Sequence, residues 1–291
     1  MARVRPFRLV REQSTFCLRE DGASDPMNDS GARSLDDTKL TLAIDIGGSH
    51  LKAGIVDERG ALTGGRARVE TPAGASAEEV VAALISLVHP LGHFDRVSVG
   101  FPGVVRNGRV LTAPNLGTER WHGFPLGSAL ERALGQPVRI LNDASVQGLG
   151  AIDGTGIELV LTLGTGMGFA LFTNGRLAPH LEMGQHPARK KKTYDQYIGE
   201  RARRKIGRRR WNRRVRQVIA RFFALTGCDV LYIGGGNVQH LSPDLPGNVR
   251  TVSNEAGITG GVRLWDRRHD AMFSEPMPAF DCAVPAGKTA E

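Results

Sequence analysis

A possible catalytic pair, Asn142 and Asp143, follows the short and largely apolar segment from Val138 to Leu141. In α/β proteins, catalytic groups often lie where a strand ends. A carboxylate in this position could accept the proton of a hydroxyl group that attacks a phosphorus atom. The residues Asn-Asp-Ala-Ser also suit the start of a helix, because Asn and Asp are good N-caps. Both interpretations can hold together.

Glycine-rich turns follow strand-like segments at three places in the chain. A turn without bulky side chains lets backbone N–H groups approach a phosphate. None of the turns matches the GxGxxG or Walker A patterns, which disfavours a dinucleotide site of the Rossmann type. A plain hairpin would explain one such turn, but three of them favour phosphate binding. The turns contain Gly47, Gly48 and Ser49; Gly164, Thr165 and Gly166; and Gly234, Gly235 and Gly236.

Two charged residues flank the first of these turns. Asp45 lies at the end of the preceding strand-like segment, where its carboxylate could orient a hydrated Mg²⁺ beside the phosphates. Lys52 follows the turn and belongs to the same predicted phosphate-binding set.

A second group of polar residues occurs in the stretch EMGQHPARKKK, which begins at Glu182. A carboxylate, the Gln185 amide and the His186 imidazole lie within five residues and could hydrogen-bond a neutral, hydroxyl-rich molecule. Four consecutive cations, from Arg189 to Lys192, follow soon afterwards. The stretch could bind a neutral molecule, contact a polyanion, or be a charged loop with neither role.

The segment 189–216 makes the protein basic. It holds fourteen Lys or Arg residues and two acids, a local charge of +12 in a chain whose net charge is +8. Such a run is often a solvated face, but its cations repel one another unless a polyanion or salt screens them. The segment could form a helix pair at the edge of a cleft. The predicted polyanion contacts are Lys190, Lys191, Lys192, Arg208, Arg209 and Arg210.

Composition places the chain among ordinary globular proteins, with 41% apolar and 23% charged residues. It has no run of 18 apolar residues, and its N-terminus lacks the apolar core of a secretory signal. The three cysteines are far apart without CxxC spacing, which excludes a cysteine-rich zinc knuckle and fits reduced thiols. We therefore expect a cytoplasmic protein with no membrane partner.

The order of the patterns predicts two α/β lobes in tandem, each opening with a strand, a glycine turn and a second strand. An amphipathic helix is expected over 215–227 and a last helix over 254–265. The predicted divisions are a disordered leader (1–38, with Met27 as an alternative start), a first lobe (39–142), a second lobe with the basic segment (143–266) and a flexible tail (267–291).

Six of these motifs, taken in order and spacing, resemble the ROK family of sugar kinases, and within it most of all the polyphosphate glucokinases. The resemblance covers roughly residues 40 to 265. Each motif is weak alone, and the set is specific. The motifs are Asp45-Ile-Gly-Gly-Ser, Phe101-Pro-Gly-Val-Val, Asn142-Asp143, Leu163-Gly-Thr-Gly-Met-Gly, Glu182-Met-Gly and Ile233-Gly-Gly-Gly.

The resemblance implies a two-lobed, actin-like ATPase fold of the ribonuclease H-like class, with a cleft between the lobes that closes on a sugar. Asp143 would be the catalytic base toward the glucose 6-hydroxyl. Asn115, Asn142 and Glu182 would hydrogen-bond the ring hydroxyls. The turns at Gly47–Ser49 and Gly164–Gly166, with Asp45, would hold the donor phosphates, and Gly234–Gly236 would border the adenosine or its equivalent. Family members also suggest a homodimer.

The chain departs from the family pattern at the sugar motif ExGH, which here reads Glu182-Met-Gly-Gln185 with His186 one place late. Gln185 can still bond a hydroxyl but cannot carry charge. A shift of one residue would bring in His186 instead. The chain also lacks the CxCGxxGC segment that binds zinc in many members, so no structural zinc is expected.

These observations predict a hexose kinase that uses Mg²⁺ and transfers a phosphoryl group from polyphosphate, ATP or both to glucose. The rival is a non-catalytic sugar-sensing or nucleic-acid-binding protein on the same fold. Polyphosphate fits the basic segment and the family neighbours. Nucleic acid fits the charge and Trp211, which could stack a base, but no recognised nucleic-acid motif accompanies them. An anionic membrane is least favoured, because the apolar face that begins at Val215 suits a core.

Overall fold

The computed structural model describes residues 39–253 and 256–274. The predicted leader and residues 275–291 of the predicted tail lie outside these ranges. The described residues include no helix with both the length and the apolar character needed to cross a bilayer.

The strands and helices alternate along the chain. The strands are β1 (Thr41–Ile46), β2 (His50–Val56), β3 (Leu62–Glu70), β4 (Arg96–Phe101), β5 (Val105–Arg106), β6 (Arg109–Val110), β7 (Val138–Asn142), β8 (Ile157–Leu163), β9 (Met167–Thr173), β10 (Arg176–Leu177), β11 (Pro187–Arg189), β12 (Lys192–Thr193), β13 (Val230–Gly234) and β14 (Val249–Thr251). The α-helices are α1 (Ala77–Val88), α2 (Thr118–Trp121), α3 (Leu126–Leu134), α4 (Asp143–Ala151), α5 (Tyr194–Ile198), α6 (Glu200–Ile206), α7 (Arg208–Thr226), α8 (Ala256–Thr259) and α9 (Ala271–Ser274). Short 3₁₀ helices span His89–Leu91, Met183–Gln185, Val238–His240, Gly260–Trp265 and Arg267–His269.

The first sheet has the strand order β3-β2-β1-β4-β7. Strands β1, β4 and β7 run parallel, whereas β2 and β3 are antiparallel to their neighbours. Strand β1 is buried along nearly its whole length, as expected for a continuous apolar segment that is covered on both faces. The carboxyl ends of the parallel strands therefore share one edge, where Ile46 leads into the first glycine turn and Asn142 leads into α4.

The second sheet repeats the same plan, with the order β10-β9-β8-β13-β14. Strands β8 and β13 are parallel, and both end in predicted glycine turns, at Gly164 and at Gly234. The repeated order confirms the predicted α/β class and brings two glycine turns to one edge of this sheet.

Separate apolar cores support the two sheets. Helix α1 begins at a capping box in which the Ser76 hydroxyl accepts the Glu79 N–H and the Glu79 carboxylate accepts the Ser76 N–H. Helix α7 buries Val215, Val218, Ile219 and Phe222 in the second core, which confirms the predicted apolar face apart from the half-buried Phe223.

The C-terminal part of the described chain packs back against the first sheet. Trp265 Nε1 donates to Ser98 Oγ (2.9 Å), which donates to Gly261 O (2.7 Å). The predicted last helix over 254–265 is helical over its described residues, 256–265, as α8 followed by the 3₁₀ helix Gly260–Trp265, and residues 254–255 lie outside the described ranges. Residues 267–274, the start of the predicted tail, are largely helical, and Arg139 pairs with Asp270 at 2.8 Å.

The basic segment does not form the predicted helix pair. It forms the hairpin β11–β12 and then α5, α6 and α7, because Gly199 and Gly207 interrupt the helix. Helix α7 begins at Arg208, seven residues before the predicted start, since Arg is a good helix former. Lys190 and Lys191 form the hairpin turn with positive φ angles of 47° and 61°, where Asn and Gly are preferred.

Trp211 lies inside the second core and is not available to stack a base. Its side chain is fully buried, and its Nε1 donates to Ile198 O at 2.6 Å. The interpretation of Trp211 as a nucleic-acid contact is therefore wrong, because the indole joins α7 to the end of α5.

The substitution Trp211→Ala is expected to lower the free energy of unfolding by about 3–5 kcal/mol, through the cavity and the lost hydrogen bond. Urea unfolding of the purified protein measures the change. The matched control, Arg209→Ala, removes an exposed side chain in the same turn and is expected to change stability by at most about 0.5 kcal/mol. Equal stability of the two variants would contradict the buried position of Trp211.

Candidate active site

A cavity of about 320 Å³ opens at the strand edges where the glycine turns lie. Both sheets contribute to its wall, so groups from the two halves of the fold face one space. The lining residues are Asp45, Gly47, Gly48, Lys52, Pro102, Pro114, Asn115, Asn142, Asp143, Gln147, Thr162, Gly164, Thr165, Gly166, Met167, Gly168, Glu182, Asp195, Gly235, Gly236 and Gly257.

Most of the residues predicted for the site meet at this cavity, including Asp45, Lys52, Asn115, Asp143 and Glu182. Members of all three glycine turns are also present. Among the residues predicted for catalysis, sugar binding or the glycine turns, four do not line it: Ser49, Gly234, Gln185 and His186. Ser49 is exposed, and Gly234 is packed against the Gln147 side chain.

Asn142 is the N-cap of α4, as one of the two sequence interpretations predicted. Its Oδ1 accepts the Ala144 N–H at 2.9 Å, and its Nδ2 donates to Gly103 O at 3.2 Å. The amide is buried and holds the β7–α4 junction in one conformation. A contact between Asn142 and a sugar stays a prediction.

Asp143 is the first residue of α4, and its carboxyl group has an unusual electrostatic environment. Burial raises its pKa to about 7, and the negative charges of Asp45 and Glu182 act in the same direction. The Ala144 N–H, 2.7 Å from Asp143 Oδ1, opposes this effect. A carboxyl group with a pKa near neutrality can exchange a proton at physiological pH, as a general base must.

Asp45 and Lys52 face each other across the antiparallel pair β1–β2. Lys52 Nζ donates to Asp45 Oδ2 at 2.8 Å, so a cation already lies at the first glycine turn. The described residues include no cluster of three or more His, Cys, Asp or Glu side chains arranged to hold a metal ion. Mg²⁺ commonly binds through one or two carboxylates, water and substrate phosphates, so the Asp45 carboxylate fits such an ion.

Asp195 is a site residue that the sequence did not reveal. Its Oδ1 accepts the Met167 N–H at 2.7 Å, and its Oδ2 accepts Gln185 Nε2 at 2.6 Å. Burial raises the pKa of this carboxyl group, and Glu182 adds to the effect. Its position as one of two acids among fourteen cations was a signal that could have drawn attention to it.

Glycines make room for the Asp195 carboxylate. A Cβ added at Gly184 would lie 2.6 Å from Asp195 Oδ1, and one added at Gly166 would lie 2.5 Å from its Cγ. The Gly166 turn and the glycine of the Glu182-Met-Gly motif therefore serve a packing requirement in addition to any ligand.

The residues that replace the family histidine do not line the cavity. The Gln185 amide is bonded to Asp195, and His186 is exposed with Nδ1 3.2 Å from Pro187 O. A different histidine, His180, lies beside Glu182, with Nε2 3.5 Å from Glu182 Oε2. The described structure therefore gives no support to the predicted shift that would bring His186 into the site.

A sequence model described as the ROK family matches residues 41–186, about half of the chain. The polyphosphate glucokinase of Mycobacterium leprae is 32% identical in an alignment of 236 residues that covers 75% of this chain and 72% of that protein. The chain belongs to the ROK family. The resemblance inferred from the motifs is thereby confirmed.

Solved structures give the same result for the fold of this ROK protein. The inorganic polyphosphate/ATP-glucomannokinase of an Arthrobacter strain is 30% identical, with a TM-score of 0.70 over 77% of this chain and 97% of that chain. A ROK transcriptional regulator described as a homologue of the E. coli MLC protein has a TM-score of 0.61 at 15% identity, over 80% of this chain and 78% of that chain. The second likeness shows the fold alone. Together with the two sheets, these likenesses confirm the two-lobed, actin-like ATPase fold.

The raised pKa of Asp143 makes stability depend on pH. The folded state favours the protonated form of Asp143. The contribution of this group to the free energy of unfolding therefore falls as pH rises from the unfolded pKa near 3.8 to the folded pKa of about 7. Asp143→Asn is therefore expected to stabilise the protein, and the gain should grow by about 2 kcal/mol between pH 5 and pH 8.

Urea unfolding of the wild type and the variant at both pH values measures this effect. The control, Asp244→Asn, changes a largely exposed carboxylate, and its effect is expected to stay within about 0.5 kcal/mol at both pH values. A gain for Asp143→Asn that does not increase with pH would contradict the raised pKa.

Proposed function

We propose that this ROK protein is a sugar kinase that transfers a phosphoryl group from polyphosphate, ATP or both to the 6-hydroxyl of glucose. The observation that carries the proposal is the position of Asp143. Its carboxyl group, with a pKa of about 7, faces the same cavity as the three glycine turns. A proton acceptor and candidate phosphate-binding turns therefore lie around one space.

The acceptor sugar lies beside Asn115, Asp143 and Glu182 in this proposal. Asp143 accepts the proton of the attacking hydroxyl as the bond to phosphorus forms. Glu182 and Asn115 offer acceptors and donors for ring hydroxyls, and Asp195 adds a second carboxylate.

The phosphoryl donor lies along the glycine turns and Lys52. Backbone N–H groups at Gly47–Gly48 and Gly164–Gly166 bind phosphate oxygens, and Lys52 supplies positive charge. Mg²⁺, held through Asp45 and water, would neutralise part of the charge on the donor phosphates when bound.

The basic segment supports polyphosphate as a donor. Glu200 and main-chain carbonyls pair with some of its arginines, among them Arg203, Arg204 and Arg208. Others are exposed, and their side chains make no hydrogen bond or ion pair with a described residue: Arg189, Lys190, Lys191, Lys192, Arg201, Lys205, Arg209, Arg210 and Arg213. These unpaired cations are the proposed contacts for a linear polyanion, and Lys190 and Lys191 occupy a hairpin turn that other residues would favour.

Helix α6 connects these cations to the predicted donor turn. The N–H of Glu200, its first residue, donates to Gly164 O at 2.9 Å, so Arg201 follows directly from the turn. A phosphate chain that leaves the cavity at this turn would meet Arg201 and Lys205 first.

The rival is a sugar-sensing or nucleic-acid-binding protein without catalysis. A ROK transcriptional regulator shares the fold, so the fold alone does not exclude this rival. Its supporting sequence features were the missing histidine and the basic segment, with Trp211 as a candidate to stack a base. Trp211 no longer counts, because the indole is buried. The presence of Asp143 with its raised pKa favours the kinase.

The kinase is tested by incubating the protein with glucose, Mg²⁺ and either ATP or long-chain polyphosphate and measuring glucose 6-phosphate. Removal of the base in Asp143→Asn is expected to lower kcat at least about a hundredfold. Asp244→Asn, a matched change at an exposed carboxylate, should leave kcat unchanged. Undiminished turnover in Asp143→Asn would exclude Asp143 as the base.

If glucose gives no product with either donor, the assay is repeated with mannose and other hexoses. If no sugar is phosphorylated, the kinase is excluded and the rival stands. A shift of labelled DNA that weakens with salt would then support nucleic-acid binding.

The polyphosphate contacts are tested with a triple variant, Arg209→Gln, Arg210→Gln and Arg213→Gln. Loss of three exposed charge contacts, at about 0.5 kcal/mol each, should raise KM for polyphosphate about tenfold. KM for ATP should stay the same. The control triple, Arg59→Gln, Arg106→Gln and Arg132→Gln, removes equal charge from other exposed positions. An equal increase of KM in both triple variants would show that net charge, and not these particular contacts, sets the affinity for polyphosphate.

A further inference from the structure

Three buried polar atoms next to the cavity have no hydrogen-bond partner among the described residues. They are His180 Nδ1, His180 Nε2 and Glu182 Oε2. Most buried polar side-chain atoms in proteins are hydrogen-bonded, and an unsatisfied one requires an explanation. Two of these atoms, His180 Nε2 and Glu182 Oε2, belong to neighbouring side chains at the edge of the cavity, so one hydrogen bond can account for both.

The two side chains are in contact but not yet bonded. His180 Nε2 lies 3.5 Å from Glu182 Oε2, whereas a good N–H···O bond spans about 2.7–3.2 Å. A shift of a few tenths of an ångström would form the bond. His180 is only 17% exposed and Glu182 29%, so water has little access to the pair.

Glu182 connects the pair to the site. Its carboxylate lines the cavity, and its charge contributes to the raised pKa of Asp143 and of Asp195. His180 does not line the cavity, so it acts on a ligand only through Glu182.

The two residues at the family's histidine position have other surroundings. Gln185 donates its amide to Asp195, and His186 is exposed. His180, two residues before Glu182, is therefore the imidazole that the fold places beside this carboxylate.

We infer that His180 is a positioning residue for hexose recognition. Its Nε2–H donates to Glu182 Oε2 and holds the carboxylate so that it can accept hydrogen bonds from a sugar hydroxyl. Since Nδ1 has no partner among the described residues, the neighbouring carboxylate favours the tautomer that carries the proton on Nε2. The inference rests on the proposed binding of a hexose at this cavity.

Two substitutions separate this role from mere packing. In His180→Gln the amide reaches the place of Nε2, whereas in His180→Asn it reaches only the place of Nδ1. His180→Asn is expected to raise KM for the hexose about tenfold, equivalent to about 1.4 kcal/mol, with kcat changed less than about threefold. His180→Gln is expected to restore KM to within about threefold of the wild type.

The control is His122→Asn, at an exposed histidine outside the cavity lining. It should leave KM and the melting temperature unchanged. Melting curves for every variant confirm that the compared proteins are folded, and His180→Gln keeps the test open if His180→Asn does not fold. A general packing role for His180 would raise KM in both variants alike and would lower the melting temperature of both.

Calorimetric titration of each variant with glucose and mannose separates the inference from the proposed kinase. Wild-type binding without phosphorylation would exclude the kinase, and the Kd values would then take the place of KM. An unchanged Kd or KM in His180→Asn, or an increase in His186→Asn instead, would overturn the inference alone. No hexose binding by the wild type would overturn both.

Discussion

The site depends on a partly buried carboxylate, Asp143, which lies at the cavity wall where a parallel strand becomes a helix. Asn142 fixes this junction by capping α4 and by holding Gly103 O, so Asp143 has little freedom to turn toward solvent. Burial and two neighbouring carboxylates then raise its pKa to about 7. The cost of placing an acid there is reduced because the proton can remain bound until a substrate or cation arrives. Stability and reactivity are therefore set by the same group.

A second constraint is the space around Asp195. Its carboxylate joins the Met167 N–H of the second glycine turn to the Gln185 amide, and it fits only because Gly166 and Gly184 have no side chains. The substituted sugar motif thus retains an organised structure. Gln185 supports Asp195 from the surface, while the histidine beside Glu182 comes from the preceding loop.

The basic segment contains two classes of cation with different physical roles. One class holds the fold together: Arg208 donates to His240 O and Leu241 O, and Arg214 donates to Tyr197 O and stacks on its ring. The other class is exposed and unpaired within the described residues, and it accounts for the strong positive field of this surface. Total charge alone would not distinguish them.

The sequence by itself determined the α/β class, the three glycine turns, the position of Asp143 at a strand end and the family, because strand periodicity and turn chemistry are local properties of the chain. Most strands lie where the apolar segments predicted them. Only the tertiary structure decided that Trp211 is buried, that Asp195 belongs to the site, and that His180 rather than His186 lies beside Glu182. It also placed the start of α7 seven residues earlier than the apolar pattern did. These outcomes depend on contacts between residues far apart in sequence, such as Asp195 with Met167, and no local pattern encodes which partner a side chain will meet.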